Sequence, residues 1–350
     1  MSEKVLMKGN EAVAEAAISA GCRHFFGYPI TPQTEVAAHM SKRMPKVGGV
    51  YLQAESEVAA INMVLGASAA GARAMTSSSS PGISLKSEGL SYIAGSDLPA
   101  VIVNVQRAGP GLGGIQPSQA DYWQATRASG HGDFKMIVLA PSTVQEMVDL
   151  TADAFALGDR YRMPVMILSD GLLGQMMEPV VMRTSEAELP DKPWAACGHE
   201  GKRGPNIINS LYIDPPNLES LIKERYAKYD MIKKNEQRCE EYLTDDAEII
   251  VVAYGASARI TRSAVDAARK EGIKAGLLRP VTLWPFPDDA ILSKPKANVF
   301  LCVEMSMGQM VDDVRLALNG SKEVRFFGRT GGVVPSPEEV LGELRNIGGI

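Results

Sequence analysis

Two acids, a run of hydroxyls and one arginine are the residues of this chain whose types and spacing could do chemistry. In Gln53-Ala54-Glu55-Ser56-Glu57 two carboxylates open an amphipathic helix. A helix dipole favours acids there, and that is explanation enough for Glu55. Glu57 leads into a helix of small residues, Val58-Ala59-Ala60 and on to Leu65-Gly66-Ala67, whose short side chains allow close packing. A carboxyl pressed into such surroundings holds its proton to higher pH and can serve as a buried acid near neutrality. Thr76-Ser77-Ser78-Ser79-Ser80-Pro81-Gly82 reads as a hydroxyl-rich loop that either binds an anion or simply turns. Lys86 lacks the preceding glycine that a Walker loop requires. Arg107 follows an apolar run at the carboxyl end of a strand, on a glycine-loosened loop, which suits bidentate capture of a carboxylate.

Gly27-Tyr28-Pro29-Ile30-Thr31-Pro32 sits where open α/β sheets place ligands, and Thr31-Pro32 reads as an N-cap and first helical residue. A hydroxyl at that point can face a bound carboxylate, because the neighbouring helix N–H groups favour negative charge. Gly109, Gly111 and Gly114 match the G-x-G-x-x-G spacing of dinucleotide sites. Pro117 follows too soon for a helix to start, and no acid closes the next strand, so nicotinamide binding is not expected. His131, flanked by glycines, either lines a site or fills a turn.

The elements that must position these residues alternate. Strands are expected over 24–27, 49–53, 72–76, 100–106, 136–140 and 164–169, with helices over 11–19, 57–70, 83–94 and 143–157, the last capped by Ser142. Such alternation predicts a parallel α/β sheet. A second α/β series runs through 248–253, helix 260–271, strands 274–278 and 299–303, and helix 311–318. The predicted division is 1–183, a linker over 184–246 rich in Pro, Gly, Lys and Glu with one charged helix over 218–241, and 247–350.

The chain has 350 residues, 45% hydrophobic and 22% charged, enough to bury two sizeable cores without staples. Thirty-six basic and forty-one acidic side chains leave a net charge of −5, which gives nucleic-acid binding no electrostatic support. No apolar run approaches the ~20 residues of a membrane span, and the first residues lack a signal-peptide pattern, so a cytoplasmic protein is expected. Cys22, Cys197, Cys239 and Cys302 stand too far apart in sequence for a C-x-x-C ligand pair; Cys22 and Cys302 read as small core hydrophobes.

The segments GYPITPQTE (27–35), QAESEVAA (53–60), SSSPGISL (78–85), 103–114 and 130–135 together resemble, in order and spacing, the alpha subunit of 2-oxoacid:ferredoxin oxidoreductases. Within that family the chain is most similar to the type acting on branched-chain substrates such as 2-oxoisovalerate, and next to the 2-oxoglutarate type. The resemblance implies a pyrimidine-binding domain of thiamine-diphosphate enzymes over about 9–182. Over about 247–345 it implies a transketolase C-terminal-like domain, carried by Leu278-Arg279-Pro280, Trp284-Pro285-Phe286-Pro287 and Val303-Glu304-Met305. It makes Glu57 the acid that hydrogen-bonds N1′ of the aminopyrimidine and favours its imino tautomer, with Pro29 and Ile30 beside the cofactor. Thr31 and Arg107 would hold the substrate carboxylate, and Ser79, Ser80 and Ile115-Gln116-Pro117 would shape the rest of the pocket. Only Ser169-Asp170-Gly171 stands near the family's metal-binding G-D-G, without its first glycine. The resemblance therefore implies that a beta subunit supplies Mg²⁺, diphosphate contacts and an iron–sulfur cluster. Further [4Fe-4S] clusters would sit in ferredoxin-like gamma and delta subunits, coenzyme A would be the co-substrate, and the assembly would be a hetero-oligomer. Lys86 and Arg127 keep a 2-oxoglutarate enzyme in play as providers of a second cation, pyruvate is another alternative substrate, and a non-catalytic docking subunit is the alternative role.

Overall fold

The computed structural model describes residues 4–127, 129–183 and 189–349. Alternating apolar runs and helices become a seven-stranded sheet in the order Thr282–Trp284, Ile137–Leu139, Pro164–Asp170, Ala100–Gln106, Ala74–Ser78, His24–Gly27, Val50–Gln53. All pairs are parallel except the first, where Thr282–Trp284 runs antiparallel to Ile137–Leu139. The central strands Ala100–Gln106 and Pro164–Asp170 are buried along their whole length, as a parallel sheet covered on both faces demands. A second sheet has the order Glu323–Gly328, Val299–Glu304, Ile249–Val252, Ala275–Pro280, Cys239–Tyr242, parallel but for the last strand. Val5–Lys8 and Met177–Val180 form a separate antiparallel pair.

The two sheets share one apolar core, running from Phe25, Ile102 and Val165 to Ile250, Phe300 and Trp284. Gln119 ties them with polar bonds: its amide donates to Tyr254 O at 2.8 Å, and its side-chain oxygen accepts from Ser257 Oγ at 2.6 Å and Met305 N at 3.0 Å. A buried amide holding three such bonds fixes one arrangement of the two units.

Several expectations need correcting. The helix expected over 218–241 is Pro215–Asn235; Asp214 caps it, and Pro215 and Pro216 open it rather than break it, since their missing N–H groups are unpaired in a first turn anyway. Residues 239–242 are extended because they pair with Ala275–Pro280. Thr143, not Ser142, caps the helix Val144–Tyr161 by accepting from Glu146 N, while Ser142 donates back to the Glu146 carboxylate. Thr31 caps nothing: the next helix is Thr34–Arg43, preceded by Gln33. Strand Glu323–Gly328, strand Thr282–Trp284 and the helix Pro337–Gly348, with its Ser336/Glu339 capping box, were not anticipated. The start of the expected linker, 184–188, lies outside the described residues.

Candidate functional site

Parallel pairing brings the carboxyl ends of five strands to one edge, and every singled-out segment except His131 leaves from it: Gly27, Gln53, Ser78, Gln106 and Asp170 end these strands. Ser56 caps the helix Glu57–Ala69 by accepting from Ala59 N at 3.2 Å, so the helix start is already served and the Glu57 side chain is free to turn inward. Glu57 is 5% exposed, whereas Glu55 faces solvent. The sequence distinction between the two acids holds because only Glu57 faces the helix Ser80–Gly95.

That contact needs Gly82. A methyl group there would meet Ser78 Oγ and lie 2.6 Å from Glu57 Oε1 and 3.0 Å from its Cγ, so the carboxylate rests on bare backbone. Further along, Gly89 lets Ile61 close the same seam. The segment 76–82 is therefore no loose loop. Ser78 ends a strand, Ser79 occupies the N-cap position without capping, and Ser80 lies in the first helical turn.

The Ser80 hydroxyl is committed to the framework: it donates to Asp121 Oδ2 at 2.6 Å and accepts from Arg107 N at 3.0 Å. Asn104 completes that knot, accepting from Ser80 N and donating to Asp121. Burial pushes the Asp121 carboxyl up, while these two donors pull it down. Ser79 Oγ, by contrast, is buried without a partner, as are Thr76 Oγ1, Ser78 Oγ, Lys86 Nζ and Arg107 Nε. Five polar atoms at or behind this end of the sheet are thus buried without a partner.

Arg107 is 9% exposed and reaches Thr31 through the backbone: its guanidinium donates to Thr31 O at 2.9 Å and to Leu112 O at 2.9 Å. It thereby gathers the exposed Pro29, the half-buried Ile30 and the exposed Thr31 against the loop 108–116, which an Arg107–Pro117 bridge closes. The glycines of that loop thus fold back on themselves and open no helix, in keeping with the rejected dinucleotide reading. His131 is exposed beside Ser91 and Tyr92, further along the Ser80–Gly95 helix. Arg127 pairs with Asp313 at 2.5 Å. Asp170 is buried as an N-cap, accepting from Leu172 and Leu173 N–H at 2.8 and 3.1 Å; burial raises its carboxyl to about 6. Its carboxylate thereby serves the start of the helix Gly171–Gln175. Cys22 and Cys302 are fully buried, and burial pushes the Cys22 thiol up to about 12.

Sequence reasoning missed Asn104, Asp121 and the position of Lys86. The spacing Gly82-x₃-Lys86-x₂-Gly89 puts the lysine on the glycine face of its helix, and that was the available signal.

Fold and site together define a subunit with a thiamine-diphosphate-enzyme pyrimidine domain and a transketolase-like neighbour. Residues 15–238 match the family described as the thiamine-diphosphate-binding domain of pyruvate flavodoxin/ferredoxin oxidoreductase, and 247–340 match pyruvate:ferredoxin oxidoreductase core domain II. The chain is 51% identical to the ketoisovalerate oxidoreductase subunit VorB of Methanothermobacter thermautotrophicus over 98% of both chains. It is 38% identical to the 2-oxoglutarate synthase subunit KorA of the same organism, over 97% of this chain and 98% of that one. A solved 2-oxoglutarate:ferredoxin oxidoreductase from Magnetococcus marinus, with 2-oxoglutarate, coenzyme A and succinyl-CoA bound, superposes at a TM-score of 0.87 and 29% identity. It covers 99% of this chain and 65% of that chain. A split-gene transketolase with a TM-score of 0.60 and 14% identity shares the fold. The chain belongs to the 2-oxoacid:ferredoxin oxidoreductase family, as an alpha-type subunit. Among the described residues, no helix is long and apolar enough to cross a membrane.

Proposed function

We propose that this subunit grips the aminopyrimidine of thiamine diphosphate in an enzyme that oxidatively decarboxylates a branched-chain 2-oxoacid, 2-oxoisovalerate, to acyl-CoA and CO₂ with electrons passed to ferredoxin. The observation that carries the reading is the Glu57 seat: a buried carboxylate resting on Gly82 among orphaned polar atoms. These residues fit the group, because a flat ring with nitrogen donors and acceptors can slide over bare backbone and pair with a carboxylate and hydroxyls. When bound, the cofactor supplies the nucleophilic carbon and the electron sink for decarboxylation.

In this reading Glu57 holds or yields a proton at one ring nitrogen, with Pro29 and Ile30 beside it. Arg107 and Thr31 orient the substrate carboxylate, and a guanidinium kept in a nearly dry site binds it more firmly than one in water. Ser79 lends a free hydroxyl, while Ser80 braces Arg107. Residues 1–183 make the pyrimidine-binding part, 184–246 the connection and 247–350 the second domain. Mg²⁺ and the diphosphate fall to a beta subunit that also carries a [4Fe-4S] cluster, and gamma and delta subunits relay the electrons. Coenzyme A takes the acyl group, and the complex works in the cytoplasm.

The substrate assignment leans on the 51% identity to a ketoisovalerate oxidoreductase subunit against 38% to a 2-oxoglutarate synthase subunit. It is supported by Arg127, whose pairing with Asp313 occupies a cation that a distal carboxylate would need. The test is turnover of the reconstituted complex on 2-oxoisovalerate, pyruvate and 2-oxoglutarate with a viologen acceptor. Fastest turnover on 2-oxoisovalerate is expected; 2-oxoglutarate in first place would overturn the substrate. Undiminished turnover in Glu57→Gln would leave a docking subunit instead.

A further inference from the structure

The seam between the helices Glu57–Ala69 and Ser80–Gly95 contains a charge that the reaction above does not use. Gly82 and Gly89 mark the face of the second helix that meets the first: methyl groups there would lie 2.6 Å from Glu57 Oε1 and 2.8 Å from Ile61 Cγ1. Lys86, four residues after one and three before the other, shares that face. Long side chains on a helix lean toward its N-terminus, which carries Lys86 Nζ back toward the Gly82 turn where the Glu57 carboxylate sits. The lysine is fully buried and its ammonium has no hydrogen-bond partner. Burial pushes it down to about 8, and the Glu57 carboxylate is near enough to pull the other way. A buried cation without a partner is a liability to the fold, and a methionine of similar length would fill the seam without it.

The other charges around this pair are spoken for. Lys86's own helix adds Glu88, exposed and bonded by the Tyr92 hydroxyl. Glu57's helix and the strands Ala74–Ser78 and Ala100–Gln106 add none. Arg107 and Asp121, just past the strand ends, hold the partners already described, and Asp170 caps its helix.

We propose that Lys86 is a positioning residue for Glu57: its buried, unpaired ammonium, on the helix face that seats Glu57, draws the carboxylate to one orientation and leaves its free oxygen turned toward the ring nitrogen of a bound aminopyrimidine. This rests on the assignment of Glu57 to that ring. Without the ammonium, no charge holds the Glu57 carboxylate in place, and the ring loses a positioned acceptor.

The experiment compares Lys86→Met, Lys86→Gln, Glu57→Gln and the Lys86→Met/Glu57→Gln double variant in the assembled complex. Readouts are Tm, thiamine diphosphate affinity at pH 6, and the pH profile of kcat/KM. Both Lys86 variants are expected to melt no lower than the parent and to flatten any basic limb of the profile near pH 8, where the parent's lysine loses its proton. They should weaken cofactor binding at pH 6 by about tenfold, and in the Glu57→Gln background Lys86→Met should change nothing further. A basic limb unchanged in the Lys86 variants, or the same loss of affinity in both backgrounds, overturns the proposal. If Glu57→Gln alone leaves turnover and cofactor affinity intact, the assignment of Glu57 falls first, so the two failures are told apart.

Discussion

Two glutamates of this chain are buried at the same kind of place, where a parallel strand ends and a helix begins, yet they are used in opposite ways. Glu304 closes the strand Val299–Glu304 and accepts from the backbone N–H groups of Gln309, Met310 and Val311 at 3.0–3.3 Å and from Ser306 Oγ at 3.0 Å. It is the cap of the helix Met310–Leu318, whose own Gln309 makes no side-chain cap. Burial pushes its carboxyl up, and the four donors pull it back. Glu57 is nearly as buried, but its helix already has Ser56 as a cap, and its neighbours are a glycine and unpartnered polar atoms. A buried carboxylate whose acceptor capacity is filled by the backbone belongs to the fold; one left hungry belongs to a ligand.

The sharpest way to break this contrast is to remove each charge without changing shape. Glu57→Gln is expected to fold with little change in Tm and to lose turnover by roughly 10²–10⁴-fold in the reconstituted complex. Arg107→Ala comes next, with a ten- to hundredfold rise in KM, about the worth of one or two charge-assisted bonds. Unchanged KM and kcat would remove Arg107 from the site. Glu304→Gln tests the other side of the comparison: a loss of about 2 kcal/mol in denaturant unfolding, as charged hydrogen bonds to the helix start are weakened. A stable Glu304→Gln chain would show that its donors do not need the charge. Gly82→Ala sharpens the picture by keeping both charges but pushing Glu57 off its seat, with a loss of about tenfold in cofactor affinity at little change in fold.

The smallest effect concerns Asp170. Its carboxyl sits at about 6 in the folded chain against 3.8 ordinarily, so between those values the folded state binds more protons than the unfolded one. Stability from this group therefore falls as pH rises from 4 to 6 and stays at its lower level above that. Asp170→Asn keeps a capping oxygen and should flatten that stretch of the Tm-against-pH curve while leaving the helix Gly171–Gln175 capped.

Where the chain is locally consistent, its order could be read directly. Ala100–Gln106, opening on Ala100-Val101-Ile102-Val103, forms a strand over those residues, and the small-residue stretch after Ser56 starts its helix at Glu57. Reading failed where long-range pairing overrides local preference. Cys239–Tyr242, with two glutamates, looks like the end of a charged helix and is drawn into a sheet by Ala275–Pro280. Thr31-Pro32 has cap chemistry, but the helix waits until Thr34. The hydroxyls 78–80 look equivalent on paper; Asn104 and Asp121 take Ser80 into the framework and leave Ser79 free.

The order of residues alone separates Glu55 from Glu57, because the small side chains that follow already say which acid is pressed against another element. It also makes Arg107 a strand-end cation and denies the 109–114 glycines a helix. That Arg107 bonds the Thr31 carbonyl, that Lys86 is buried without a partner, and that Glu304 is consumed by backbone donors are matters of tertiary structure alone. They depend on which strands become neighbours, and parallel pairing joins segments tens of residues apart whose meeting no local pattern encodes.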